Sequence, residues 1–270
     1  MQLSVFYHHL QEAAEQTGSP LADILDQAAG FGISAVELDW ADIRQDAAGL
    51  RSLLAQHGFT ASSVYGFFEF GQKRQEEEAA QFLADAVAVG ASKVLVIPGF
   101  LSPEQTEEEQ EAQVAAMIEA VQRLCDAAEP LGITVTMEDF DDRQAPFARS
   151  EDLLKFLSAV PQLGCTFDTG NFIYSGEDEL RALDKLAPHV VHVHCKDRSL
   201  EPNSGEGKLT LTDKMLYPSP VGGGCIAIRE SLRRLREAGY TGTLAIEHFG
   251  APDQLAYMRQ SADWLRKAWK

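Results

Sequence analysis

Eight short apolar or β-branched runs alternate with longer stretches of helical period along the 270-residue chain, and this alternation restricts the fold more than any other feature. The runs are LSVF (3–6), SAVEL (34–38), ASSVYGF (61–67), KVLVIP (93–98), ITVTME (133–138), GCTFD (164–168), VVHVHC (190–195) and TLAIE (243–247). Helical periodicity falls at roughly 20–30, 43–57, 72–89, 104–129, 150–160, 177–187, 226–238 and 252–268. Strands that alternate with helices pair in parallel, each helix serving as a crossover. Four helices run out at a glycine just before the next strand, at Gly32, Gly58, Gly90 and Gly132, where a left-handed residue ends a helix without steric penalty. No Pro/Gly/Ser-rich linker divides the chain, so residues 1–270 read as one domain, an α/β fold of the single (β/α)8 TIM-barrel type, which typically takes about 250 residues. An open doubly wound sheet is the alternative. It usually carries a Gly-rich turn after its first strand, and Val5-Phe6-Tyr7-His8-His9 has none. One long irregular connection, 196–224, follows the seventh strand on the side where barrel enzymes keep their active-site loops.

Strand alternation sorts side chains into those facing the barrel axis and those facing the helices. Thr134, Thr136 and Glu138 share one face of the fifth strand against Val135 and Met137, so the polar face is the axial one. The same division sets Thr166 and Asp168 against Cys165 and Phe167, His192 and His194 against Val191, Val193 and Cys195, and Ala245 and Glu247 against Leu244 and Ile246. Glu138, Asp168, His194 and Glu247 thus stand at or near the C-terminal ends of four consecutive strands in matched phase. Unpaired acids are rarely buried, and desolvated like charges raise one another's pKa, a conflict that a divalent cation removes. Two glutamates, an aspartate and a histidine suit Mn²⁺, Mg²⁺, Co²⁺ or Zn²⁺, with positions left for a substrate's oxygens. For any one of the four taken alone, a loop hydrogen bond is the simpler explanation; the matched phase of all four favours the metal.

The formal charge of −18 repels nucleic-acid phosphates and anionic lipid. No apolar run approaches the roughly 20 residues of a membrane-spanning helix, and MQLSVFYHHLQEAAEQ lacks a basic segment followed by an apolar one. The expectation is a cytoplasmic protein with neither nucleic acid nor membrane as partner. Cys125, Cys165, Cys195 and Cys225 form no CxxC pair and read as reduced, buried thiols.

The candidate residues lie within longer motifs: Gly32-Ile-Ser-Ala-Val-Glu37-Leu near the second strand, Thr136-Met-Glu138-Asp at the fifth, Phe167-Asp168-Thr-Gly-Asn171 at the sixth and His192-Val-His194-Cys-Lys-Asp197 at the seventh. Pro220-Val-Gly222-Gly-Gly224 and Gly239-Tyr-Thr-Gly242-Thr-Leu-Ala-Ile-Glu247-His248 follow. In order and spacing, over nearly the whole chain, the set resembles the xylose-isomerase-like (β/α)8 barrels. These include sugar phosphate isomerases/epimerases, ketose 3-epimerases, hydroxypyruvate isomerase, inosose dehydratase and the type 2 apurinic endonucleases. The resemblance implies that Glu138, Asp168, His194 and Glu247 hold the divalent metal ion and that Glu138 and Glu247 double as the acid/base pair. The family's 3-epimerases usually carry a His three residues after the sixth-strand Asp and a second Glu six residues after the fifth-strand ligand; Asn171 and Gln144 stand there in this chain. The DNA-repair branch binds three zinc ions through further His and Asp ligands, which a chain of seven histidines and charge −18 does not favour.

The implied activity is a metal-dependent sugar or sugar-phosphate isomerase/epimerase working by proton abstraction next to a carbonyl through a metal-stabilised enediolate. A dehydratase of an inosose or dehydroshikimate-like substrate and a non-catalytic sugar-binding barrel are the alternatives. A small sugar or sugar phosphate is the expected partner, with a homo-oligomer left open. Glu37, His8, Asn171, Lys196 and Arg198 are the candidate substrate-binding residues. Glu37 ends the second strand and reads as a substrate or ion contact, or as a loop cap. Of His8 and His9, one is expected to point into the mouth. Lys196, Arg198 and Lys208 are bases in the long seventh connection, placed to neutralise an anionic substrate. His192 reads as a core histidine or as a partner of a ligand. Gly222-Gly223-Gly224 permits close backbone approach to a ligand or forms a plain turn, and Tyr65, Phe67, Phe68 and Phe70 wall the pocket or belong to the core.

Overall fold

The computed structural model describes residues 1–270. Eight strands pair in parallel and in sequence order: β1 (Gln2–Phe6), β2 (Ala35–Asp39), β3 (Thr60–Phe67), β4 (Lys93–Ile97), β5 (Thr134–Met137), β6 (Gly164–Asp168), β7 (Val190–Ser199) and, after two short strands, β10 (Thr243–Glu247). β10 pairs with both β7 and β1, which closes the sheet into a (β/α)8 barrel. The helices are α1 (Tyr7–Thr17), α2 (Leu21–Gly30), α3 (Trp40–Ile43), α4 (Ala47–Gln56), α5 (Glu76–Val89), α6 (Glu107–Ala128), α7 (Ser150–Ala159), α8 (Glu179–Leu186), α9 (Ile228–Glu237) and α10 (Gln254–Ala268).

The apolar strand face packs outward against these helices, with Val5, Val36, Val94, Met137, Phe167, Val193 and Ile246 all buried. The axial face is polar, and its groups bond one another: Ser4 Oγ lies 2.6 Å from Ser62 Oγ, and Thr166 Oγ1 donates to Thr136 Oγ1 at 2.8 Å. Gly32, Gly58, Gly90 and Gly132 have φ of 79°, 80°, 86° and 69°, so the glycine punctuation marks real left-handed helix ends.

Three elements depart from the sequence reading. A helix, α1, follows β1 directly; its segment YHHLQEAAEQT reads as polar, but Tyr7, Leu10 and Ala13 form a narrow buried stripe. The helix expected over 43–57 is broken at Arg44–Asp46, because Asp39 and Asp46 each cap a separate start, accepting from Ala41 N and Gly49 N at 2.8 Å. The connection 196–224 is not wholly irregular. β7 runs on to Ser199 and pairs antiparallel with β9 (Met215–Ser219), which pairs with β8 (Lys208–Leu209). This flap rises over the C-terminal mouth. Cys125, Cys165 and Cys195 are buried as expected, whereas Cys225, on the turn after β9, is exposed.

Candidate metal centre

The strand phase brings Glu138, Asp168, His194 and Glu247 together: one ligand atom from each lies within 4.8 Å of the others, and all four residues are buried. Registry accounts for the convergence, since Asp168 pairs with His194 across β6–β7 and Ala245, two residues before Glu247, pairs with His194 across β7–β10. His194 Nδ1 lies 2.9 Å from Glu138 Oε2, 3.2 Å from Glu247 Oε2 and 4.0 Å from Asp168 Oδ2. Asp168 is fixed by its own turn: Oδ1 accepts from Gly170 N at 2.6 Å and Asn171 N at 2.9 Å, which turns Oδ2 to the cluster.

Glu138 Oε2, Asp168 Oδ2 and His194 Nδ1 are buried without a hydrogen-bond partner. Two unpartnered carboxylate oxygens and an imidazole nitrogen facing one point form a poor protein interior but, once the ring gives up its proton, a suitable donor set for a divalent cation, so the residues fit the ion that their types suggest. The electrostatics carry the same conflict. Burial pushes Asp168 well above the ordinary aspartate range, with Glu247 and Glu138 adding to the rise, and Glu138 is raised by burial and by Glu247. Burial would raise Glu247 too, but Lys196 and His194 outweigh it and hold that carboxylate well below its usual range. Burial works against charge on His194, and Glu37 and Glu138 overcome it, moving the imidazole well up.

Glu37 lies beneath the cluster rather than on its open side. It is fully buried, its Oε1 hydrogen-bonds His192 Nε2, and its Oε2 lies 3.3 Å from His194 Nε2. A carboxylate accepting at Nε2 orients the His194 ring so that Nδ1 faces Glu138, Asp168 and Glu247. His192 therefore belongs to this support, reaching the cluster through Glu37.

Lys196 Nζ donates to Asn171 Oδ1 at 2.8 Å, sits 2.5 Å from Glu247 Oε1 and 3.9 Å from Asp168 Oδ2. Burial opposes its charge, but Asp141, Glu247 and Asp168 prevail and keep the ammonium above its ordinary pKa. Asn171 also donates from Nδ2 to Asp139 O at 2.9 Å, so the amide bridges two loops and aims the lysine. A cavity of about 140 Å³ opens beside these groups, walled by Phe6, Tyr65, Phe67, Phe140 and Phe249 and floored by Glu138, Asn171, Lys196 and Glu247. Phe68 and Phe70 instead stack on each other, with Phe68 on Trp40, and belong to the core. His8 is half exposed at the rim, stacked against Phe249 with Nε2 3.4 Å from Glu12, while His9 is buried, stacks on His248 and accepts from its N–H.

Arg198 and Lys208 converge on Asp141, which the sequence reading passed over along with Asp139 and Asp197. Asp139 is wholly buried with both carboxylate oxygens unpartnered. Asp197 explains the glycine run: its carboxylate accepts from the backbone N–H of Gly222, Gly224 and Ile226 at 2.8, 3.0 and 3.2 Å. The close backbone approach that the glycines permit is made to an internal carboxylate. The acid run Glu138-Asp139-Phe140-Asp141-Asp142 was the available signal for the first two, but beyond the end of β5 no periodicity says which way a side chain points.

Comparison with known proteins finds the profile of the xylose isomerase-like TIM barrel family matching residues 25–268. An inosose dehydratase of Geobacillus thermodenitrificans (strain NG80-2) is 26% identical over 219 residues, 73% of this chain and 72% of the relative. Among solved structures, the IOLI protein with a bound zinc atom superposes with a TM-score of 0.76 at 16% identity, over 100% of this chain and 98% of that one. The D-allulose 3-epimerase of Methylomonas sp. does so with a TM-score of 0.73 at 17% identity, over 99% and 98%.

Proposed function

The chain belongs to the xylose isomerase-like TIM barrel family, and from that premise we propose that it is a divalent-cation-dependent enzyme that removes and replaces a proton next to the carbonyl of a small polyhydroxylated ketone, an isomerase or epimerase. The observation that carries this reading is the buried Glu138, Asp168, His194 and Glu247 cluster with three unpartnered polar atoms at the floor of an aromatic-walled pocket. Zinc in the IOLI structure is in keeping with a metal here, and four free thiols suit a cytoplasmic setting.

Glu138, Asp168, His194 and Glu247 would hold the cation. When bound, it supplies positive charge that fixes the oxygens of a hydroxyketone and stabilises the negative charge that develops on them. The chain's own groups supply the proton chemistry. Glu138 and Glu247 both line the pocket, from strands separated by two others, so a small ligand between them meets a carboxylate on either side. One takes the proton and the other returns it. Lys196, held against Glu247, keeps that carboxylate ionised and offers an ammonium to a substrate oxygen. The ring of phenylalanines excludes water and presents flat faces to the C–H surface of a sugar.

Elimination of water is the second reading, favoured by the likeness to inosose dehydratase and by Lys196, whose ammonium beside Glu247 would protonate a departing hydroxyl. Incubating the metal-loaded protein with ketoses, ketose phosphates and inososes in D2O separates the readings. Deuterium at the carbon with unchanged composition is expected for the isomerase or epimerase, and a product lighter by one water for the dehydratase. Glu138→Gln and Glu247→Gln should each lower the rate by several orders of magnitude. Exchange at the wild-type rate in both variants would overturn the two-carboxylate mechanism, and tight sugar binding with no exchange would leave a binding protein.

A further inference from the structure

Beyond the aromatic pocket lies a second, more open cavity of about 340 Å³. It shares Asp141, Lys196 and Phe249 with the first, so one ligand can occupy both. Its distinctive lining is cationic: Arg198 Nη2 donates to Asp141 Oδ2 at 2.8 Å, Lys208 Nζ reaches Asp141 Oδ1 at 2.8 Å, and Lys196 Nζ stands 3.7 Å from Oδ2. Lys196 is also committed to Glu247, which leaves Arg198 and Lys208 sharing one carboxylate, with Glu206 at the outer wall.

Arg198 is 5% exposed, yet its Nε–H has no acceptor. A buried guanidinium short of an acceptor is costly, and negative charge brought into the adjoining cavity, which Arg198 lines, offsets that cost. The residue is also held still. Its N–H donates to Asp197, its carbonyl accepts from Cys225 N at 2.7 Å, and it pairs with Pro218 across β7–β9. Glu206 N donates to Gly250 O at 2.9 Å, tying the flap to the loop after β10. The cations are therefore positioned in advance of any ligand, on strands and not on a free loop.

We propose that this flap carries an anion subsite, in which Arg198 and Lys208, with Lys196 between the two cavities, bind a carboxylate or phosphate on the end of the substrate remote from its reacting carbonyl. Asp141 holds the three cations together in the ligand-free chain. The inference rests on the reading of the adjoining acid and histidine cluster as the reaction site, and it makes the substrate a sugar acid or sugar phosphate rather than a neutral polyol ketone.

The test is calorimetric titration of the Mg²⁺-loaded protein with inorganic phosphate, D-gluconate and neutral D-glucitol. At least one anion should bind about tenfold or more tightly than glucitol, with the preference shrinking as salt rises. Arg198→Gln/Lys208→Gln should remove the preference while leaving the metal content by elemental analysis unchanged; Lys208→Gln alone, at a half-buried residue on the flap, should weaken it without touching the fold. Preference for phosphate assigns a phosphate ester, and preference for gluconate a carboxylate. Equal affinity for all three probes, or a preference that survives in the double variant, overturns the subsite. A wild-type preference for anions in a protein that holds no metal and exchanges no deuterium would retain the subsite and reject the proposed reaction.

Discussion

Glu37 shows how a residue without direct access to a ligand can govern the site. Its two oxygens serve two imidazoles, and the His194 contact turns the ring so that Nδ1 faces Glu138 and Glu247. Glu37→Gln offers one acceptor and one donor where two acceptors are needed, so one imidazole must give up its orientation. Affinity for Mn²⁺, measured by equilibrium dialysis, should fall by about 10–100-fold. Circular dichroism should show the fold retained, and wild-type affinity in the variant would sink the positioning role. At this scale the sequence was informative wherever a residue lay inside a strand. A period of two fixes which side chains face the axis, and that put Asp168, His194 and Glu247 on the axial face, with Glu138, one residue past β5, continuing the phase of Thr134 and Thr136. It did not reveal that Glu37 points under the cluster, because depth along the axis depends on barrel stagger, which no local pattern encodes. Asp139 and Asp141 lie past the last residue of β5, where the period ends.

The flap formed by the end of β7 with β8 and β9 is the element that the alternation pattern left as an irregular connection. Its strands are short, carry Pro218, and pair through only a few residues, so they present no run long enough to register. Their placement depends on Asp197, which draws the turn 222–226 onto the strand through charge-assisted bonds. Gly222 is required twice over, by a φ of 84° and by Trp264, whose ring would lie 2.1 Å from an added Cβ. Gly239 has a φ of 88° with nothing within 4 Å of such an atom, which isolates the backbone effect. Gly239→Ala should lower stability by about 1–2 kcal/mol, the left-handed penalty alone. Gly222→Ala should lose on the order of 3 kcal/mol once the overlap is added. Urea unfolding of the two variants measures both; equal losses would show that Trp264 yields freely and that the flap is less firmly seated than its contacts indicate.

Across the whole molecule, closure of the barrel forces the polar strand ends of a chain with charge −18 into one dry mouth, and the resulting stability should depend on pH and metal together. Asp139 and Asp168 have pKa values raised well above 3.8, chiefly by burial. Such acids are protonated in the folded chain while already ionised in the unfolded one, so their presence weakens the fold progressively as pH climbs from about 4 toward their folded values. His194, raised well above 6.5, contributes stability that is complete below 6.5 and is lost as pH rises through its folded value. Glu37 and Glu247 are depressed; their contribution is present above about 4.5, is lost only in acid, and stays level across neutrality. In EDTA, therefore, the urea midpoint should fall between about pH 6.5 and 9. A bound divalent cation reverses the sign, because it takes deprotonated ligands and its affinity rises with pH. At a thousandfold excess over Kd it adds about 4 kcal/mol, enough to flatten or invert the decline. Unfolding curves across that range, in EDTA and in excess Mn²⁺, read both limbs. A midpoint in EDTA that holds steady or rises toward pH 9 would mean that the buried acids and His194 are relieved by something other than protons. A decline that Mn²⁺ leaves untouched would mean that the four convergent residues are not its ligands.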